Sequence, residues 1–142
     1  MKGASSFLLF PLFSSFLLPS CSCRRGGDDV HTEVRLAAQT YYNYVKEGKC
    51  DSFALALDVQ LPPDLPEACT TDYRRQVADA TRQYVEIEKR RHGQMTSIEA
   101  EADSLSADGN EAIVTLLLDY EDGAKQRVVV PLRRSAGKWL MR

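Results

Sequence analysis

Histidine is nearly absent from this sequence, with two residues, His31 and His92, in 142. They stand far apart, and no group of His and Cys falls at ligand spacing, so neither a metal nor a cofactor is expected. No serine sits in the Gly-x-Ser-x-Gly turn that presents a hydrolase nucleophile. The glycine pair Gly26-Gly27 lies in a polar stretch without the strand and helix of a phosphate loop. Neither sign of charge dominates: 18 Lys and Arg stand against 20 Asp and Glu, for a formal net charge of −2. Nucleic-acid binding, which needs a clustered basic surface, is therefore not expected. Also missing is an apolar run of the roughly 20 residues that a membrane-spanning helix requires.

The N-terminus is the most specific part of the chain. Met1-Lys2 is a short positive start, and residues 7–18 (FLLFPLFSSFLL) are apolar and uncharged. Pro11 would interrupt a stable span. A charged start, a short apolar run and a small residue before the cut describe a cleavable secretory signal over residues 1–20. Leu18-Pro19-Ser20-Cys21 resembles the lipobox of bacterial lipoproteins. That resemblance implies diacylglycerol on the Cys21 thiol, removal of the signal, and usually acylation of the new amino group. One acyl chain holds a membrane marginally, whereas two or three hold it stably. The alternative is an ordinary secreted protein cut near the same place. Cys23 is a competing acceptor, but Ser20-Cys21-Ser22 before it lacks the aliphatic residue.

Outside the cytoplasm a disulfide can persist. Joining Cys50 to Cys69 would close a loop of about 20 residues and contribute about 3 kcal/mol in the chain-entropy account. The alternative is two separate thiols. Residues 21–29 are small, polar and charged, and read as a lipidated flexible tether. The remainder, residues 30–142, reads as one domain with a real core.

Within that domain Val34, Ala37 or Ala38, Tyr41 and Val45 recur at three- and four-residue steps, predicting a first helix from about Val30 to Glu47. Gly48 is its stop. A short second helix is expected over Ser52–Leu57 with Asp51 as its N-cap. Residues 59–69 contain three prolines and form a stiff connector. A long third helix, capped by Thr71 or Asp72, carries Tyr73, Val77, Ala80, Tyr84 and Ile87 on one stripe and ends at Gly93. Its basic last turn, Lys89 to His92, suits the negative end of the helix dipole. His92 reads as a surface residue there.

After Gly93 the apolar period changes from 3.6 to 2. Met95–Leu105 alternates, with Ile98, Ala100 and Ala102 on one side. Glu111–Tyr120 is apolar on both faces, predicting a central strand covered on both sides. Lys125–Arg134 and Lys138–Arg142 follow, separated by Asp122-Gly123 and Ser135-Ala136-Gly137 turns. Helices first and hairpin-connected strands after give an α+β layout.

The end of the first helix (YYNYVKEGK), the Asp122-Gly123 hairpin and the closing Gly137-Lys138-Trp139 strand resemble the small NTF2-like (cystatin-like) domains, and among them the DUF4878 type found in bacterial lipoproteins. The resemblance implies a cone, with N-terminal helices packed on a curved antiparallel sheet of about four strands, often dimeric through the sheet. It implies no reaction, because this fold hosts enzymes and inert binding domains alike. Enzymes of the superfamily commonly pair Asp with His or Tyr in the cone, and Asp119 and Tyr120 are the nearest such pair here. Tyr41, Tyr44, Tyr84, Asp119, Tyr120 and Trp139 are the candidate pocket residues, with core filling as the plain alternative.

The expectation is a noncatalytic lipoprotein domain of the cell envelope, tethered to a membrane by its N-terminal lipid. The outer membrane is preferred, because no Asp follows Cys21. A small apolar ligand in the cone is one expected partner. A homodimer or an envelope protein docked on the sheet through Ile113, Leu117 and Val129 is the second reading, and a small NTF2-like enzyme is the third.

Overall fold

The computed structural model describes residues 29–142. The signal, Cys21 and all of the tether but its last residue fall outside the described residues.

Helix α1 is described from residue 29 through residue 46. It buries Val34, Ala38 and Val45 completely, with Tyr41 partly buried between them, so the apolar spacing selects Ala38 over Ala37 for the core. Helix α2 spans Cys50–Leu55, two residues earlier than expected, and Lys49 rather than Asp51 stands at its N-cap. Asp51 instead occupies the first turn, where a carboxylate meets the positive end of the helix dipole. Helix α3, Glu67–His92, begins well before Thr71, with Pro66 at the N-cap. The first turn of a helix has unpaired N–H groups in any case, so a proline at this boundary removes nothing.

α2 lies antiparallel along the first half of α3. Cys50 packs in a small cluster with Ala54 and Ala78. The Arg82 guanidinium faces Asp51, and Arg74 Nη1 donates to the Ala54 and Leu55 carbonyls at 3.2 and 2.9 Å. This arrangement corrects the expected Cys50–Cys69 bridge, since both thiols are free. Cys50 sits against Ala78, which is nine residues, or roughly 13 Å of helix, beyond Cys69. A disulfide needs Cα atoms within about 7 Å. Burial also pushes the Cys50 thiol pKa up. We expect native thiol titration to modify Cys69 quickly and Cys50 only on unfolding, whereas a two-dalton mass loss on oxidation would reveal a bridge.

Strands β1 (Met95–Leu105), β2 (Glu111–Tyr120), β3 (Lys125–Ser135) and β4 (Lys138–Met141) form an antiparallel meander in the order β1-β2-β3-β4. Both central residues of the β3–β4 turn, Ala136 and Gly137, have positive φ, the tight hairpin form that matches strand twist. The free edge of β4 is partly closed: Leu57 bridges Met141, with Asp58 N donating to Met141 O at 2.7 Å and Met141 N to Ala56 O at 2.9 Å. Pro131 lies just past the point where β3–β4 pairing ends, so its missing N–H costs no ladder bond.

One sheet face is the core. Ala112, Val114, Leu116, Leu118, Val130, Leu132, Trp139 and Met141 are buried on it, together with Tyr120. The expectation that β2 is covered on both sides is corrected, because Ile113 is 44% and Val129, diagonal to it on β3, is 62% exposed on the opposite face. A second correction concerns β1. Its register slips between Ala100 and Ala102, so Ala102 turns outward and Asp103 turns in. The bulge inserts one residue and reverses the alternation beyond it. The Asp103 side chain, 2% exposed, pairs there with Arg35 of α1.

Candidate functional site

The 26-residue helix α3 crosses the region where chemistry-bearing residues gather. The inward face of α3 runs through Arg74, Val77, Ala78, Thr81, Val85, Glu88 and His92. Those are three- and four-residue steps, so Glu88 and His92 stack one turn apart on the same side. This face is rotated from the expected stripe, and Tyr73, Ala80 and Ile87 remain exposed. The reason is composition, for α3 packs on small and polar residues as readily as on its aromatics.

Gly93 ends the helix with φ 82° and ψ −161°. The chain then turns into β1 and is stitched to the β2–β3 hairpin: Glu121 N donates to Gln94 O at 3.0 Å and Asp122 N to His92 O at 3.2 Å. Between these pieces and the end of α1 lies a recess. Val45 and Lys46 of α1, Tyr84, Val85, Glu88 and Lys89 of α3, the turn at Gly93, and Tyr120 of β2 line it. Its cavity volume is about 30 Å³, and it is partly open to solvent. That is room for a water-sized group or two rather than a small apolar molecule.

The polar groups around it form a connected set. The Tyr84 and Tyr120 hydroxyls both donate to Gln126 Oε1, at 2.9 and 3.0 Å. Burial first, and then the neighbouring Tyr84 and Glu88, push the Tyr120 phenol far above its ordinary pKa. His92 Nδ1 lies 2.8 Å from Asp122 Oδ2, and Nε2 lies 3.9 Å from Glu88 Oε2. The His92 contact, aided by the Ala124 N–H, holds the Asp122 carboxyl below its ordinary range. Asp122 thus orients the imidazole, and Nε2 points toward Glu88 without touching it.

Of the expected pocket residues, the structure brings Tyr84 and Tyr120 together. Tyr41 instead donates its hydroxyl to the Trp139 carbonyl, with Tyr44 beside it at 6.5 Å between ring centroids. Trp139 is buried under the Arg134 guanidinium, 4.7 Å from the ring centroid. Asp119 and Tyr120 do not converge, because successive strand residues point to opposite faces. Asp119 lies on the open face, bonded to Lys125 Nζ at 2.7 Å and Ser97 Oγ at 2.8 Å. Sequence reasoning missed Glu88, His92 and Asp122 as a group. The four-residue step from Glu88 to His92 was a usable signal, but the hairpin that delivers Asp122 is 30 residues away. Among the described residues no cluster of His, Cys, Asp and Glu could hold a metal ion, and no helix is long and apolar enough to cross a membrane.

No family model matches the chain, and no curated protein matches it. Solved structures that are similar to it include the following two. A Campylobacter jejuni protein provisionally described as an NTF2-like transpeptidase shares 19% identity at a TM-score of 0.56, over 73% of this chain and 92% of that one. A SEC-C motif containing protein from Rhodopseudomonas palustris shares 14% identity at a TM-score of 0.48, over 74% and 71% of the two chains. The first likeness, together with helices packed on one face of a four-stranded antiparallel meander, makes the fold of this chain NTF2-like.

Proposed function

We propose that this chain is a lipoprotein of the cell envelope, lipidated on Cys21, whose NTF2-like domain is a noncatalytic interaction module that pairs with a second copy through its open sheet face. One observation carries the reading: Ile113 and Val129 lie exposed beside each other on a face that no described helix covers. Thr115 and Pro131 extend the patch. Hydrophobic residues grouped in this way mark contact surfaces.

The charges on that face favour a second copy as the occupant. β1 contributes Glu99 and Glu101, and β3 contributes Lys125, Arg127 and Arg133. A two-fold axis parallel to β2 lays the acidic column of one copy over the basic column of the other, the self-complementary arrangement of a two-fold interface. Arg127 already reaches across β2 to Glu101, at 2.8 Å, within one chain. The recess beside α3, about 30 Å³, leaves little room for a bound apolar ligand. The likeness to DUF4878-type lipoproteins and the outer-membrane placement belong to the same proposal.

The test is light scattering on the mature chain carrying Cys21→Ser, beside fatty-acid labelling of the natural chain in cells. The proposal expects a dimer mass, a monomer for Val129→Lys with an unchanged melting temperature, and label lost with Cys21. A wild-type monomer at high micromolar concentration would end the pairing claim, and label retained on the Cys21 variant would end the anchor.

A further inference from the structure

The two ends of the domain differ in what they expose. Where β2 finishes and α3 terminates, the surface is charged, with Lys89, Arg90, Arg91, Glu121 and Asp122 exposed. The opposite end is where α1 begins. Arg35 pairs with Asp103 of β1, and Glu33 lies 4.0 Å from Arg134 of β3, whereas Val45 and Lys46 reach the recess beside Tyr120. Asp103 is the register partner of Val114, so α1 starts near the first residues of β2 and finishes near its last.

The segment between α2 and α3 lies at that starting end too. Met141 pairs with Leu132, and Leu132 with Ala112, which puts Met141 level with the start of β2. Ala56 and Asp58 bond to Met141, Asp58 also reaches Arg133 at 3.6 Å, and Arg74 holds the last carbonyls of α2. The residues of α3 before Arg74 continue past this level for about 10 Å. A turn closed by Leu65 N on Pro62 O, at 3.1 Å, precedes them. Pro62, Pro63 and Leu65 are exposed there. All three leucines exposed among the described residues fall in this half of the domain: Leu36, Leu55 at 67% and Leu65 at 43%.

A single exposed leucine is ordinary. Position relative to the N-terminal tether gives these a meaning. From Cys21 to residue 29 the chain can reach at most about 29 Å. That is shorter than α3, whose 26 residues span about 39 Å. A lipid on Cys21 therefore keeps the start of α1 close to a bilayer and presents this end to it. We infer, resting on the lipoprotein reading above, that this end of the domain sits on the membrane, with Leu55 and Leu65 turned into a zwitterionic lipid surface. The exposed carboxylates of Asp64 and Glu67 beside them disfavour an anionic one. The tether raises the local lipid concentration, so two leucines suffice without strong affinity of their own. A two-fold axis along β2 would set both tethered ends on the same side, so pairing leaves this contact intact.

The experiment holds the mature chain, carrying Cys21→Ser and an N-terminal hexahistidine, on phosphatidylcholine vesicles through a nickel-chelating lipid. Tryptophan emission is compared between vesicles with plain and with brominated acyl chains, which quench on contact. The parent chain reports the buried Trp139 as background. Leu65→Trp should lose emission on the brominated vesicles well beyond that background. Arg90→Trp, at the charged end, should not. Adding Leu55→Asp to the Leu65→Trp chain should reduce the loss, because one leucine fewer lowers the docked-to-free ratio about tenfold. Equal losses from the two tryptophan positions, no loss at Leu65→Trp, or indifference to Leu55→Asp would each overturn the contact. So would a larger loss on vesicles of brominated phosphatidylglycerol. Because the nickel lipid supplies the tether, these outcomes do not depend on lipidation of Cys21, which fatty-acid labelling tests separately.

Discussion

Replacing Gly93 by alanine should destabilise the domain sharply and disorder the recess at the end of α3. The backbone there has φ 82° and ψ −161°, a region that is essentially glycine-only. Any side chain incurs strain of about 1–3 kcal/mol from the backbone alone. The space is closed as well: an added Cβ would lie 2.6 Å from Glu121 Oε2 and 2.9 Å from Glu121 Cβ. Glu121 belongs to the hairpin that also carries Asp122, so relief of the clash moves the partner of His92. A melting temperature lowered by several degrees, with altered amide signals at His92 and Asp122, is the expected result. The same change at Gly48, whose φ is +79° but where nothing lies within 4 Å of an added Cβ, serves as the control and should cost less. Equal losses at the two positions would show that the Glu121 contact has no weight.

The second large effect is expected at Leu116. It is fully buried on β2, between β1 and β3, with Ala100 and Val128 as its register partners. Truncation to alanine removes transfer free energy and leaves a cavity that strands paired on both sides cannot easily collapse. The cost should be about 3–5 kcal/mol by comparison with other buried leucines. One residue earlier, Thr115→Ala should change stability by well under 1 kcal/mol, because Thr115 faces the open side opposite Val129. Denaturant unfolding of the two variants checks the contrast. Similar losses would mean that the outer face is as tightly packed as the inner one.

The legibility of this fold followed the strength of each local signal. Val34 and Val45 on α1, the ends of β2, and the Asp122-Gly123 turn were readable because each rests on a repeat or a dihedral preference within a few residues. The start of α3 was misplaced because Pro66 looks like a breaker, whereas at a helix boundary it does no harm. The inward stripe of α3 was misread because hydrophobicity pointed to Tyr73, Ala80 and Ile87, while packing buried Ala78 and drew in Thr81, Glu88 and His92. The bulge in β1 had no sequence mark at all, and it alone turned Asp103 toward Arg35.

The site divides in the same way. Tyr84 and Tyr120 could be chosen from sequence because aromatic residues on predicted core faces tend to line whatever space remains. That their hydroxyls share one acceptor, Gln126, depended on a third element crossing at the right height. Asp119 and Tyr120 looked like a pair in the sequence and are separated by the thickness of the sheet. Glu88, His92 and Asp122 looked unrelated and meet at one corner.

By itself, then, the sequence determined the element order, the α+β class, the hairpin turns and the ends of β2. Each depends on periodicity or on backbone preferences of a few adjacent residues, which are properties of the chain before it folds. The tertiary structure alone decided which side of α3 is inward, that β2 has one open face, that Cys50 and Cys69 stand apart, and that Glu88, His92 and Asp122 meet at one corner. Those outcomes depend on how far one element slides or rotates against another. That choice is made by the summed packing of residues remote in sequence, and no local pattern encodes it.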